Sequence, residues 1–195
     1  MGNQKPHILI PLFEELRGES VVVRPYRESD AQAIYEARVE SRDHIRPWEP
    51  WADEQQTVQE QQALLAQWMA EWLLRKNLYV GYWQHATERY LGSSGIHVHS
   101  WDTGSFEIGY WVRASETGKG YVTETVKLLT DFAFTHLNAS RVEIRCDERN
   151  ERSVAVANRL GYVQEARLRN NKRNTSGQLC NTIIFSMTPE DRRQR

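Results

Sequence analysis

Glu107-Ile-Gly-Tyr-Trp-Val-Arg-Ala-Ser-Glu-Thr-Gly-Lys-Gly-Tyr-Val-Thr-Glu124 joins an aromatic strand to a turn at Gly118 and Gly120, and the turn runs at once into a long helix. Glycines let the backbone turn sharply. The first free N–H groups of the helix, helped by its positive dipole end, then point at one place, an anion site suited to a phosphate or pyrophosphate. Two common phosphate loops do not fit. A Walker A loop needs glycine where Arg113 stands and Ser or Thr where Gly120 stands. A dinucleotide fingerprint needs a third glycine at Thr123 and a strand that opens a Rossmann unit, whereas the strands here form a meander.

Working outward, Leu78–Trp83, Arg89–His99 and Phe106–Arg113 read as three successive antiparallel strands. Beyond the turn, Val122, Val126, Leu129, Ala133 and Leu137 recur at helical spacing, and Asn138 is the expected C-cap. A strand Arg141–Cys146, a helix Glu151–Leu160 closed by Gly161, and the strands Tyr162–Arg169 and Leu179–Met187 follow. Upstream lie a strand Ser20–Tyr26, a capped helix Ser29–Arg38 and an irregular loop His44–Trp51. Next comes a helix opened by a Thr57/Glu60 capping box, with Leu64, Leu65, Trp68, Trp72 and Leu73 as its buried stripe. The order β-α-α-β-β-β-α-β-α-β-β predicts an α/β (α+β) fold. Its sheet is mixed and mostly antiparallel, with about seven strands and about four helices spread over both faces.

The 195 residues carry 25 Lys plus Arg against 26 Asp plus Glu, a net charge of −1, which gives no field that favours nucleic acid or an anionic membrane. Two cysteines, Cys146 and Cys180, cannot make a disulfide framework, so a reducing cytoplasm is the default setting. The apolar run Ile8–Phe13 is too short and too proline-broken for a signal peptide, no segment approaches the roughly 20 apolar residues of a membrane span, and Pro6 spoils a myristoylation signal begun by Gly2. Without repeats or linkers, residues 1–195 read as one domain with a core from about Ser20 to Met187 and loose ends. Asp191–Arg195 is expected to be a solvated tail.

Three stretches in this order and spacing, Glu107–Glu124, Asn150-Glu-Arg-Ser153 leading to Arg159-Leu-Gly-Tyr162, and Phe185-Ser-Met187, resemble the GNAT family of N-acetyltransferases. Within it they resemble the RimJ/RimL-type acetyltransferases of ribosomal-protein N-termini. The resemblance implies the GNAT fold and acetyl-coenzyme A as cosubstrate. The family's Gln/Arg-x-x-Gly-x-Gly/Ala loop, whose backbone amides hold the pyrophosphate, falls on Thr117, Gly118, Lys119, Gly120, Tyr121 and Val122. Thr117 replaces Gln or Arg, and Val122 puts a branched side chain where close approach is expected. By the same resemblance Trp111, Val112 and Arg113 present main-chain hydrogen bonds to the pantetheine arm. Asn150 bonds it too, and the Ser153 hydroxyl lies near the thioester sulfur. Asn150 and Ser153 also suit simple capping of a helix start.

Acetyl transfer needs a neutral amine. An α-amino group, with a pKa of about 8, needs less help than lysine at about 10.4. Glu107 is the candidate base, acting directly or through a water, with a surface ion pair as its alternative role. A backbone N–H near Val112 would stabilise the oxyanion, Ser153 would serve the departing sulfur, and Cys146 reads as core, so transfer is direct. The expected acceptor is the N-terminal amine of a ribosomal or other protein. A small amine (polyamine, amino acid or aminoglycoside) and a non-catalytic acyl-coenzyme A-binding module are the alternatives. The loop His44–Trp51, with Trp48, Glu49 and Trp51, the start of the second helix and the final hairpin around Asn170–Gly177 would form the acceptor site, although an aromatic loop packed under the second helix fits the tryptophans equally. His97 and His99 share a strand face, but two ligands are too few, so no metal is expected. Related enzymes are often dimers, which leaves a homodimer open.

Overall fold

In the computed structural model, which describes residues 6–54 and 56–194, eight strands form one sheet. They are β1 (Leu16–Arg17), β2 (Val21–Pro25), β3 (Asn77–Gln84), β4 (Tyr90–Ser100), β5 (Ser105–Val112), β6 (Arg141–Asp147), β7 (Val163–Arg173) and β8 (Leu179–Met187). Their spatial order is β1-β2-β3-β4-β5-β6-β8-β7, and only β5 and β6 run parallel. The strand beyond those expected is β1, whose two residues are too short to show an alternating pattern. Gly2 and Arg195 lie outside the described residues.

The helices are α1 (Ala31–Ile45), α2 (Val58–Leu74), α3 (Tyr121–His136), α4 (Glu151–Arg159) and α5 (Pro189–Arg193). The first runs well past its predicted end at Arg38, because Ala31, Ile34, Ala37, Ser41 and Ile45 make one buried stripe in which a serine interrupts the apolar signal. The irregular loop therefore starts later and contains a 3-10 turn at Pro50–Asp53. The second helix opens as predicted: Glu60 N donates to Thr57 Oγ1 at 3.2 Å and Thr57 N to Glu60 Oε2 at 2.7 Å. Leu73, however, is exposed. Asn138 takes the left-handed conformation just after α3, where the C-cap was expected. The C-terminal segment is α5 rather than a solvated tail: Thr188 caps it, and Arg192 pairs with Asp131 at 2.8 Å. Among the described residues no helix is long and apolar enough to cross a membrane.

Side chains alternate across the sheet and feed two cores. Leu78, Val80, Ile96, Phe106, Ile108, Val142 and Ile144 pack against Val126, Leu129 and Ala133 of α3 and Val156 of α4. On the other face, Trp83, Tyr90, Tyr79 and Trp111 meet Ile34 and Ala37 of α1 and Leu65 and Trp68 of α2. Each fully buried large apolar side chain contributes about 1.5–3 kcal/mol. Along β5, then, Ile108, Tyr110 and Val112 face α3 and α4, while Glu107, Gly109 and Trp111 face α1 and α2.

Candidate active site

Strands β5 and β6 are paired only at Ser105↔Arg141, Phe106↔Val142 and Glu107↔Glu143, and beyond Glu107 they part. The gap opens a cleft of about 1130 Å³ through the sheet. Glu107, Trp111, Val112, Thr117 to Val122, Asn150 and Ser153 all line it, together with Trp48 and Glu49, whereas Arg113 and Trp51 do not.

Strand register settles which main-chain groups face the gap. Arg113 N donates to Leu91 O at 2.7 Å, which makes Leu91 and Arg113 a hydrogen-bonded antiparallel pair. Such pairs alternate, so Trp111, opposite Ser93, also turns its N–H and C=O towards β4, and Tyr110 and Val112 turn theirs towards the gap. The expectation for Trp111 and Arg113 is corrected accordingly. Tyr82 Oη also donates to Trp111 O, at 2.9 Å, and Arg113 O accepts from Glu116 N at 2.9 Å. The Arg113 side chain turns away to Glu40, with Nε 2.6 Å from its carboxylate.

At the loop, Gly118 and Gly120 have φ of 76° and 85°, and a Cβ built on either meets nothing within 4 Å. Glycine is required there by conformation, and the space above it is open. Gly120 caps α3 without a side-chain hydrogen bond, which leaves the first-turn amides of Tyr121, Val122 and Thr123 facing out at the positive end of the helix dipole. Lys119 Nζ is held by buried Glu116 at 2.8 Å, so the groups here that could hold an anion are mainly backbone amides. Thr117 Oγ1 donates back to Ala114 O at 3.1 Å, and Val122 packs against the larger core.

Across the gap, Asn150 is the side-chain cap of α4, its Oδ1 accepting from Ser153 N at 3.2 Å. Ser153 Oγ lies 2.8 Å from Tyr110 Oη, so β5 and α4 are bridged beside the opening. Cys146 also lines the cleft, and burial pushes its thiol pKa up.

On the opposite face, Glu107 Oε2 lies 3.1 Å from His99 Nε2 and 3.4 Å from Arg145 Nε, and Arg145 also binds Glu143 at 2.8 Å. His99, Glu107 and Glu143 bring ligand atoms within 4.8 Å of one another, a grouping that only the parallel pairing of β5 with β6 creates. Arg141 and Arg145 already pair with Glu143. Glu49 is exposed at the cleft mouth. Protein packed around its carboxyl raises its pKa, Lys172 and the Trp51 side chain oppose this, and the negative charge of Glu107 adds to it. Trp51 sits behind the wall, its ring 6.0 Å from that of Trp111 and 4.8 Å from the Arg38 guanidinium. It stands behind the cleft without lining it.

Lys172, from the Asn170–Gly177 segment expected at the acceptor site, lines the cleft, and so do Tyr110, His97 and Arg145, although no sequence signal placed those three there. Tyr110 was within reach of sequence reasoning, since it stands between Glu107 and the glycine turn and points opposite to Glu107. Arg145 comes from a strand whose neighbours the chain order does not reveal.

The Acetyltransferase (GNAT) domain family matches residues 20–163. An uncharacterized N-acetyltransferase of Bacillus licheniformis, p20, is 32% identical over 101 residues, 52% of this chain and 56% of that protein, so the chain spans about half of that relative's length. Among solved structures, Mycobacterium smegmatis RimJ in complex with CoA-disulfide is similar at a TM-score of 0.80 and 26% identity, covering 88% of this chain and 83% of that one. RimL, a ribosomal L7/L12 alpha-N-protein acetyltransferase in complex with coenzyme A, has a TM-score of 0.82 over 92% of this chain and 97% of its own. At 16% identity that likeness is one of fold.

Proposed function

Because the chain belongs to the GNAT acetyltransferase family, we propose that it moves an acetyl group from acetyl-coenzyme A directly to a primary amine, the N-terminal amine of a ribosomal or other protein. The observation that carries this is the parting of β5 from β6 immediately beyond Glu107, beside a helix N-terminus that no side chain caps. The residues fit the cosubstrate: open space stands above Gly118 and Gly120, and Tyr110 and Val112 offer main-chain groups at the gap. The RimJ and RimL structures, named as complexes with CoA-disulfide and coenzyme A, support the same reading.

Acetyl-coenzyme A would supply an activated acyl carbon and a thiolate leaving group. The amides from Gly118 to Thr123 hold its pyrophosphate, and the edge of β5 at Tyr110 and Val112 binds the pantetheine as an added strand would. Val112 N–H would stabilise an oxyanion. Ser153, oriented by Asn150 and Tyr110, donates a hydrogen bond or a proton towards the sulfur. On the other face Glu107 presents negative charge to the acceptor's ammonium, with Glu49 and Trp48 at the entrance. The acceptor class rests on the resemblance of this sequence to the RimJ/RimL-type acetyltransferases. The setting is a reducing cytoplasm, which two free, buried cysteines support.

A coenzyme A-release assay run in parallel on peptide N-termini and small amines tests this. Release that follows the peptides upholds the reading. Release with polyamines or amino acids alone moves the acceptor to small molecules, and no release with any amine overturns it.

A further inference from the structure

We propose that His97, not Glu107, takes the proton of the acceptor amine; this rests on the acetyl-transfer reading above. His97 stands directly opposite Glu107 in the β4–β5 register, so the two side chains share the acceptor face of the sheet. The next positions on that face are Gly95 and Gly109, again opposite each other, which leaves a strip of bare backbone leading to the gap. His97 Nε2 lies 3.3 Å from where a Gly109 Cβ would stand. A glycine at that position lets the ring lean over β5 and line the cleft.

Behind it the ring is fixed: Tyr79 meets it edge-on with centroids 5.4 Å apart, and Tyr79 stacks in turn on Trp68 at 5.0 Å. No hydrogen bond joins the imidazole to any described residue. Glu107 differs in kind, since its Oε2 is shared by His99 and Arg145. The carboxylate is thereby a fixed anion that attracts an ammonium group, and the imidazole beside it is free to receive a proton. Burial lowers the His97 pKa below 6.5, opposed by Glu107, lowered further by His99 and opposed again by Glu71 from α2. The neutral form of the ring is thus present at pH 7. In the step, an N–H bond of the ammonium breaks, its electron pair stays on nitrogen as the nucleophile, and the proton passes to an imidazole nitrogen. It leaves later to water through the cleft mouth.

The test compares the full-length wild type with H97Q, G109A and E107Q. Turnover, calorimetric coenzyme A binding and NMR titration of the His97 ring without ligands are measured. H97Q is expected to lower kcat/KM about 100-fold at pH 7. The deficit should shrink as pH rises through about 8, where the α-amine is neutral by itself. Coenzyme A affinity should hold. G109A, which pushes the ring aside, should change turnover in the same direction. The ring should titrate below 6.5, and lower still in E107Q. Wild-type turnover in H97Q with an unchanged pH profile, or a ring titrating at or above 6.5 and indifferent to E107Q, overturns the assignment. A wild type that binds coenzyme A yet acetylates no amine overturns the acetyl-transfer reading, and this inference with it.

Discussion

Tyr110 Oη on β5 and Ser153 Oγ on α4 lie 2.8 Å apart, and they meet where β5 and β6 have separated. The bond ties the hydroxyl assigned to the leaving sulfur to the strand assigned to the pantetheine. Tyr110 Oη also reaches Ser153 O at 3.3 Å, so the phenol fixes both the side chain and the helix turn that carries it. A neutral hydrogen bond of this kind is worth about 0.5–1.5 kcal/mol. Tyr110→Phe is therefore expected to lower kcat about 3- to 10-fold with little change in KM for acetyl-coenzyme A, and Ser153→Ala to lower it further. Steady-state kinetics decide it. Equal kcat in wild type and Tyr110→Phe would mean that the bond is structural only.

Gly120 has a left-handed backbone, and nothing lies within 4 Å of the position a methyl group would take on it. An alanine there would bear a conformational cost of about 1–2 kcal/mol without clashing with the chain. A ligand seated on the amides would meet the methyl directly. Gly120→Ala should thus lose at least about 100-fold in coenzyme A affinity, or about 2.7 kcal/mol, more than the strain alone implies when read as folding stability in denaturant. Losses in stability and affinity of equal size would place the ligand elsewhere.

Glu40 on α1 braces the turn ahead of this loop, accepting from Arg113 Nε at 2.6 Å and Ser115 N at 3.1 Å. Burial alone would raise its pKa. The hydrogen bonds from Ser115 and Arg113 outweigh that and hold it at about 2, below the ordinary 4.5. A folded-state pKa held below the unfolded one stabilises the fold above about 4.5, and that contribution disappears as pH falls through 4.5 towards about 2. In Glu40→Gln the acid-side loss of stability over this window should be shallower, and coenzyme A should bind more weakly at pH 7. Denaturation midpoints from pH 2 to 7 and one titration check both. Parallel stability curves would remove Glu40 from the account.

The meander, the capping box at Thr57 and the α3 stripe were legible because each is written in local spacing. Residues of the loop from Thr117 to Val122 were legible for the same reason: two glycines and a helix start are contiguous. What the sequence hid is non-local. Trp111 and Arg113 looked available to a ligand because nothing in the chain order says which main-chain groups β4 takes up, and only the Arg113–Leu91 bond fixes that parity. Likewise the His99, Glu107, Glu143 and Arg145 group exists because β5 lies parallel to β6, a pairing formed across the whole of α3.

Cys146 separates direct transfer from transfer through an acyl-enzyme. Its thiol lines the cleft close to Ser153, so position alone would allow it to act as a nucleophile. Its chemistry argues the other way: burial raises the thiol pKa, with Ser153 and Lys172 only partly opposing, and the reactive thiolate is scarce at neutral pH. Cys146→Ala removes the sulfur from a strand position that is 7% exposed, at a packing cost of about 1–2 kcal/mol or less. Turnover per folded molecule should then stay within about 2-fold of wild type, as direct attack by the amine requires no protein intermediate. Intact-mass measurement of wild type mixed with acetyl-coenzyme A alone should show no acetylated Cys146. A stable acetyl adduct there, together with loss of turnover in Cys146→Ala, would replace direct attack by a two-step route.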